Sequence, residues 1–241
     1  MFKIALNAGH YIDEPGKRCL KSIDPAETRE WVLNDRICDK VEDGLKNYEG
    51  YELLRIDDTT GRQNLTISRR AKKANDFGAD IYVAVHHNAG INGGTGGGIM
   101  AFVYLKVDDK TRKLQKLLYD NLIEQTGLRG NRSQPLSSAD FGECRQTAMP
   151  AVLLECGFMD STTDTPIILT EDFANKAAAG IVKAIAEYGN LQKKSEPEKE
   201  PEAQDNTSLY YVQVGAYSSK NNAEAMAQKL KNAGFPAIIK Q

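Results

Sequence analysis

The stretch Ile81-Tyr82-Val83-Ala84-Val85-His86-His87-Asn88 constrains this chain more than any other. It is an apolar run of strand length that ends in two histidines and an asparagine. The chain holds only 3 histidines, and the third closes a second apolar run, Phe2-Lys3-Ile4-Ala5-Leu6-Asn7-Ala8-Gly9-His10. Two runs that each deliver a histidine at their C-terminal end are expected of a parallel α/β sheet with a site at its rim, because open α/β sheets place ligands and chemistry at the carboxyl ends of their strands. Histidine is also the commonest metal ligand and the commonest acid/base side chain near neutral pH. One histidine at a strand end is commonly a hydrogen-bonded loop residue. Two at equivalent ends, with only the adjacent His87 besides, point to a shared site. Successive side chains on a strand face opposite ways, so His86 and His87 cannot both serve that site and one of them is expected to be structural.

A length of 241 residues suits one sizeable domain with a small appendage. The net charge of −2 argues against a nucleic-acid binder held by a basic face. No apolar run approaches the roughly 20 residues of a membrane span, so no membrane insertion is expected. The chain passes from Met1 into a strand with neither a basic n-region nor an apolar h-region, so no signal peptide is expected. The protein is then made in the cytoplasm and reaches outer targets through lysis or another route of release. Cys19, Cys38, Cys144 and Cys156 form no C-x-x-C pair and no zinc-finger spacing, and reduced thiols are the expectation.

Taken in order, residues 2–8 read as a strand and Asn7–His10 as the turn after it. Residues 11–26 read as a loop. Helical period then runs from Glu27 to Leu45, with Trp31, Ile37, Val41 and Leu45 near one face. Asp24 reads as its N-cap, with Pro25 at the first helical position and Glu27 three residues on. A strand at 51–56, a helix at 65–77 stopped by Gly78, and the strand at 81–85 follow. The glycine-rich stretch 90–98 lacks the Lys-Ser/Thr of a phosphate-binding Walker loop and reads as a flexible loop beside the site. A strand at 99–107 and a helix at 109–125 precede a polar, irregular segment at 127–147. Residues 150–158 form a buried strand with Glu155 inserted, and 173–188 a last helix. Residues 192–208 carry no large apolar side chain and read as a charged, proline-containing linker. Beyond it, 211–217 alternates as a strand, 221–233 is helical, and a second strand starts at 237. This βαβ fragment is too small to hold a core alone. The expected division is 1–191, linker 192–208, and 209–241.

A catalytic zinc site needs three protein ligands and an open position. His10 and His86 supply two. Glu27 and Glu30, one turn apart near the start of the expected helix, are candidates for the third, and spacing does not choose between them. Either is equally at home as a first-turn carboxylate favoured by the helix dipole. Glu155 stands apart, since glutamate is almost never buried unless paired. It is a candidate general base, or else the partner of an arginine such as Arg69 or Arg145. Asn88 and Arg145 are placed near the cleft without a firm role.

Several segments then align with one family. Asn7-Ala-Gly-His10, Leu65-Thr-Ile-Ser-Arg69 with Ala74-Asn75, Val85-His86-His87-Asn88-Ala89, and Met149-Pro-Ala-Val-Leu-Leu-Glu155-Cys-Gly-Phe-Met-Asp160 resemble, in order, the motifs of the zinc-dependent N-acetylmuramoyl-L-alanine amidases of the amidase-3 family. Ala84 stands where that family frequently has serine. The family's ligand glutamate lies four residues before an asparagine, which Glu30-Trp-Val-Leu-Asn34 matches and Glu27 does not. The resemblance implies zinc on His10, Glu30 and His86 and a catalytic carboxylate at Glu155. It also implies a twisted, mostly parallel sheet flanked by helices, and hydrolysis of the amide between N-acetylmuramic acid and L-alanine in bacterial peptidoglycan. Tyr210-Tyr-Val-Gln-Val-Gly-Ala-Tyr-Ser with Asn222-Ala-Glu-Ala and Ala233-Gly-Phe-Pro resembles the first half of a SPOR domain, a family that binds peptidoglycan glycan strands stripped of stem peptides. Either the sequence stops short of the second half, or a partner chain completes the module, as a homodimer would. Two other readings are a non-catalytic wall-binding protein and a zinc peptidase on the stem peptide. A phage endolysin and a sporulation or lysis enzyme fit the sequence equally.

Overall fold

The computed structural model describes residues 1–194 and 213–239. The chain forms two compact units, 1–194 and 195–241. In the first, β1 (Phe2–Ala8) is followed by a long loop, α1 (Glu30–Leu45), β2 (Tyr48–Glu49), β3 (Tyr51–Arg55), α2 (Ile67–Phe77) and β4 (Ile81–Asn88). Next come β5 (Ile99–Val103), α3 (Asp109–Thr126), β6 (Leu136–Ser138), α4 (Gly142–Arg145), β7 (Ala151–Phe158), α5 (Thr165–Ile168), α6 (Glu171–Tyr188) and β8 (Gln192–Lys193).

Six strands form one sheet in the order β3-β1-β4-β7-β5-β6, and β2 pairs with β8 in a separate antiparallel ribbon. Only the β5–β7 pair of the large sheet is antiparallel. The strand interiors are near-continuous apolar runs because both faces are covered. Ile4, Leu6, Val83, Val85, Val152 and Leu154 pack on one face beneath side chains of α1, α3 and α6. The other face is smaller, and Ala5, Tyr82, Ala84, Ala151 and Leu153 pack there with Ala74 of α2 and Cys144 of α4. The chain leaves β1 through α1 to reach β3 on one side, and returns through α2 to β4 on the other. The strand order therefore reverses between β1 and β4, which is where such sheets open a crevice at their carboxyl ends.

Two local expectations are corrected. The first helix does not start near Glu27 under an Asp24 cap. It starts at Glu30, with Arg29 as an N-cap that makes no side-chain cap bond. Asp24 instead accepts the backbone N–H groups of Ala26 and Thr28 and closes a turn, and Glu27 takes a left-handed φ of 51°. Aspartate satisfies nearby backbone donors in turns as readily as at helix starts, and here the turn wins. The polar segment 127–147 is not wholly irregular, since it contributes β6 and α4.

In the second unit α7 (Lys220–Asn232) forms with none of its residues buried. The described residues flanking it, 213–217 and 237–239, form no strand ladder. A pair of such short strands is marginal without further strands or a helix to cover it. Most of the expected linker, from residue 195, lies outside the described residues.

Candidate metal centre

His10, Glu30 and His86 converge at the head of the crevice. Each offers one donor atom, and the three atoms lie within 4.8 Å of one another. His86 reaches this point on β4, His10 just beyond the end of β1, and Glu30 from the first turn of α1. Glu30 Oε1 lies 3.1 Å from His86 Nδ1 and 3.3 Å from His10 Nε2. The same oxygen accepts the His87 backbone N–H at 3.2 Å. Glu30 is 1% exposed, and its Oε2 has no hydrogen-bond partner. Burial alone would raise its pKa, but the two imidazoles hold it well below the usual carboxylate range. His86 behaves in the complementary way: burial opposes its charge, yet Glu143 and Glu30 push its pKa up to about 10. Two imidazole nitrogens and a carboxylate with an unsatisfied oxygen are a His2Glu donor set, which suits a catalytic zinc ion.

The backbone holds these groups tightly. His10 takes a φ of 65°, a conformation uncommon for a residue with a side chain. The Arg70 guanidinium donates to the carbonyl oxygens of Ala8 and His10 and fixes this turn. Gly9 is needed for closeness: a Cβ there would lie 2.1 Å from Cε1 of the His86 ring. Asn34 donates to the Gly9 carbonyl and accepts from His87 Nδ1 at 2.8 Å. His87 thus faces α1, opposite His86, as strand alternation requires.

Glu155 lies on β7 in register with His86 on β4 and shares its face of the sheet. Its Oε2 is buried without a partner, and among the described residues it makes no ion pair, so neither Arg69 nor Arg145 neutralises it. Burial pushes its pKa up to about 7; His86 works against this and Glu30 with it. The carboxylate borders a cleft of ≈ 460 Å³ that His10, Lys17, Arg70, His86 and Glu143 also line. Asn88 and Arg145 are not among the lining residues. Asn88 turns towards Met100, and Arg145 pairs with Asp140. Glu27 stays outside the cluster, paired with Arg18 and Lys21. The glycine-rich stretch is pinned rather than loose: Asp160 Oδ2 accepts the N–H groups of Gly90, Ile91 and Asn92 at 2.7–2.8 Å.

Sequence reasoning missed Glu143, which is 6% exposed beside His86. It lies in a polar segment with no periodicity, and nothing in its surroundings marks it as buried. Asn7, by contrast, is a polar residue inside a strand, and the parity of that strand places it on the His86 face.

The family model for N-acetylmuramoyl-L-alanine amidase matches residues 4–187, and a SPOR domain model matches 206–241. The chain is 30% identical over 242 residues to the sporulation-specific N-acetylmuramoyl-L-alanine amidase of Bacillus subtilis, covering 99% of this chain and 84% of that protein. It is 37% identical over 126 residues to an endolysin of Bacillus phage SPP1, covering 52% of this chain and 46% of that one. An N-acetylmuramoyl-L-alanine amidase structure from Clostridium difficile 630 superposes with a TM-score of 0.70 at 24% identity, covering 78% of this chain and 97% of that chain. Fold, motifs and the extent of the family match agree, and the chain belongs to the N-acetylmuramoyl-L-alanine amidase family.

Proposed function

We propose that this protein hydrolyses the amide between the lactyl group of N-acetylmuramic acid and L-alanine in bacterial peptidoglycan, with zinc held by His10, Glu30 and His86. The observation that carries this is the meeting of three donor atoms within 4.8 Å at the head of an open cleft, with the unpartnered Glu155 carboxylate on the same face. Zinc bound there would acidify water to a pKa of roughly 7 and polarise the scissile carbonyl. Glu155, poised near neutrality by burial, takes a proton from the attacking water and returns it to the departing alanine nitrogen. Glu30, His10 and His86 keep their donor atoms converged, and Arg70 holds the turn that carries His10. No helix among the described residues is long and apolar enough to cross a membrane.

The test is digestion of purified peptidoglycan with new amino termini and new reducing ends assayed together, with and without a zinc chelator. N-terminal alanine that disappears with the chelator, without reducing ends, is the expected product. A different new amino terminus indicates a peptidase on the stem peptide. Absence of any product on several wall types favours a non-catalytic binder. Glu155→Gln is expected to retain zinc and lose at least about 100-fold in rate, since a positioned acid–base group typically contributes 10²–10⁴-fold. We also propose that residues 206–241 bind the glycan strands of the wall. The same proposal includes a homodimer through this module, on which Val214, Phe235 and Ile238 are exposed. A monomer in sedimentation velocity at micromolar concentration removes the homodimer.

A further inference from the structure

Glu143 has no place in the reaction described above, yet it is a buried carboxylate pointed at a metal-ligand candidate. His86 turns Nδ1 towards Glu30 Oε1, the oxygen that also meets His10. Its opposite nitrogen, Nε2, faces Glu143 Oε2 at 3.6 Å, just beyond hydrogen-bond length, and is buried with no hydrogen-bond partner. Glu143 is itself held from behind. Asn7 Nδ2 lies 3.2 Å from both carboxylate oxygens, and the Tyr82 hydroxyl donates to Oε2 at 3.4 Å. The Asn7 amide is oriented in turn by Arg70, whose Nη1 donates to Asn7 Oδ1 at 2.5 Å. The same guanidinium grips the carbonyl of His10. One buried polar chain therefore runs from the His10 turn through Arg70, Asn7 and Glu143 to the far nitrogen of His86.

We propose that Glu143 is the positioning carboxylate of His86: it accepts the Nε2–H, fixes the tautomer that leaves Nδ1 free for the metal, and raises the basicity of that nitrogen. This rests on the reading of His10, Glu30 and His86 as a metal site. Metal-bound histidines usually give their second ring N–H to such an acceptor, and loss of that partner weakens metal binding about 10- to 100-fold. Asn7 suits this role and aspartate would not, because a second carboxylate 3.2 Å from Glu143 would repel it.

The test is equilibrium competition for zinc between the full-length protein and a chromophoric chelator, with thermal melting of the same samples. Wild type is expected to bind one equivalent, and Glu143→Gln to bind it about 10- to 100-fold more weakly. Wild-type affinity in Glu143→Gln overturns the proposal and leaves the metal site standing. The double variant Asn7→Asp/Glu143→Gln restores a buried amide–carboxylate pair with the carboxylate moved to Arg70. It is expected to recover the melting temperature but not the zinc affinity. Recovery of both shows that Glu143 acts only through packing and overturns the proposal. A measurement on the wild type guards against misfolded variants. Histidine ¹H–¹⁵N correlation spectra of the zinc-loaded protein are expected to show His86 metallated at Nδ1 and protonated at Nε2; metallation at Nε2 overturns the assignment. A wild type that binds no zinc overturns both this inference and the metal reading beneath it.

Discussion

His86 and His87 are neighbours on one strand, and burial acts on both, yet they titrate in opposite directions. His86 meets two carboxylates and is raised to about 10. His87 is lowered to about 3, chiefly by burial, with Arg36 and His86 adding to it against Glu30. Its Nδ1–H is committed to Asn34, and Nε2 is buried with no partner to stabilise a second proton. As pH falls below the ordinary histidine value of about 6.5, the unfolded chain protonates at residue 87 while the folded one does not, so stability is lost on acidification down to about 3. His86 has the reverse sign in the metal-free protein: its contribution is fully present below about 6.5 and lost as pH rises towards about 10. The two act on opposite sides of about pH 6.5, so comparison with a variant that lacks His87 isolates its contribution. Between pH 7 and 5 the unfolding free energy of metal-free wild type, relative to His87→Gln, should fall by about 2 kcal/mol. Parallel urea titrations at the two pH values measure it. A difference independent of pH would mean that His87 is hydrated in the folded state.

At the scale of elements, the site depends on loops that the sheet alone does not fix. The stretch after β4 is held at three successive N–H groups by Asp160, which follows β7, and Gly98 is held by Asp164 at 2.6 Å. Asp160→Asn removes the charge from this clasp and leaves a neutral amide oxygen to accept the three N–H groups, because only Oδ2 of Asp160 is used and Oδ1 has no partner. A hydrogen bond to a charged group contributes about 1.5–3 kcal/mol. The variant should lose roughly that much stability in urea titration, and amide exchange at Gly90, Ile91 and Asn92 should accelerate ahead of β4. Unchanged exchange at those three amides would show that the loop is ordered by other means. This clasp also marks where the sequence was legible. The apolar runs of β1, β4 and β7, the helical period of α2, α3 and α6, and the αL stop at Gly78 are local signals, and the elements formed close to where those signals lie. So is the alternation that sets His86 and His87 on opposite faces. The clasp joins residues about 70 apart in sequence, and the Glu143–Asn7 contact spans 136. Such pairings have no local period, which is why the stretch 90–98 reads as loose and residues 127–147, Glu143 among them, as irregular. Asp24 illustrates a third case, in which one residue type serves both turns and caps and only the competing backbone donors decide.

At the scale of the whole molecule, the first unit contains both apolar layers, the three converging donors and every residue that lines the cleft. The second unit buries none of α7 and leaves Val214, Phe235 and Ile238 exposed. The proposed catalysis and the proposed retention on the wall therefore fall in different units. Linking a wall-binding module to a catalytic unit in general turns rebinding into an intramolecular event, at an effective concentration of order millimolar for short linkers. The gain belongs to an insoluble polymer that offers many adjacent sites, and vanishes on a small soluble substrate that offers one. A chain ending at Lys194 should therefore hydrolyse a soluble muropeptide at the rate of the full chain. In a Glu155→Gln background, which prevents digestion, the shortened chain should cosediment with purified peptidoglycan at least about 10-fold less tightly. Equal cosedimentation would place wall recognition in the cleft unit alone. A lower rate on the soluble muropeptide would instead mean that the second unit contributes to the catalytic site.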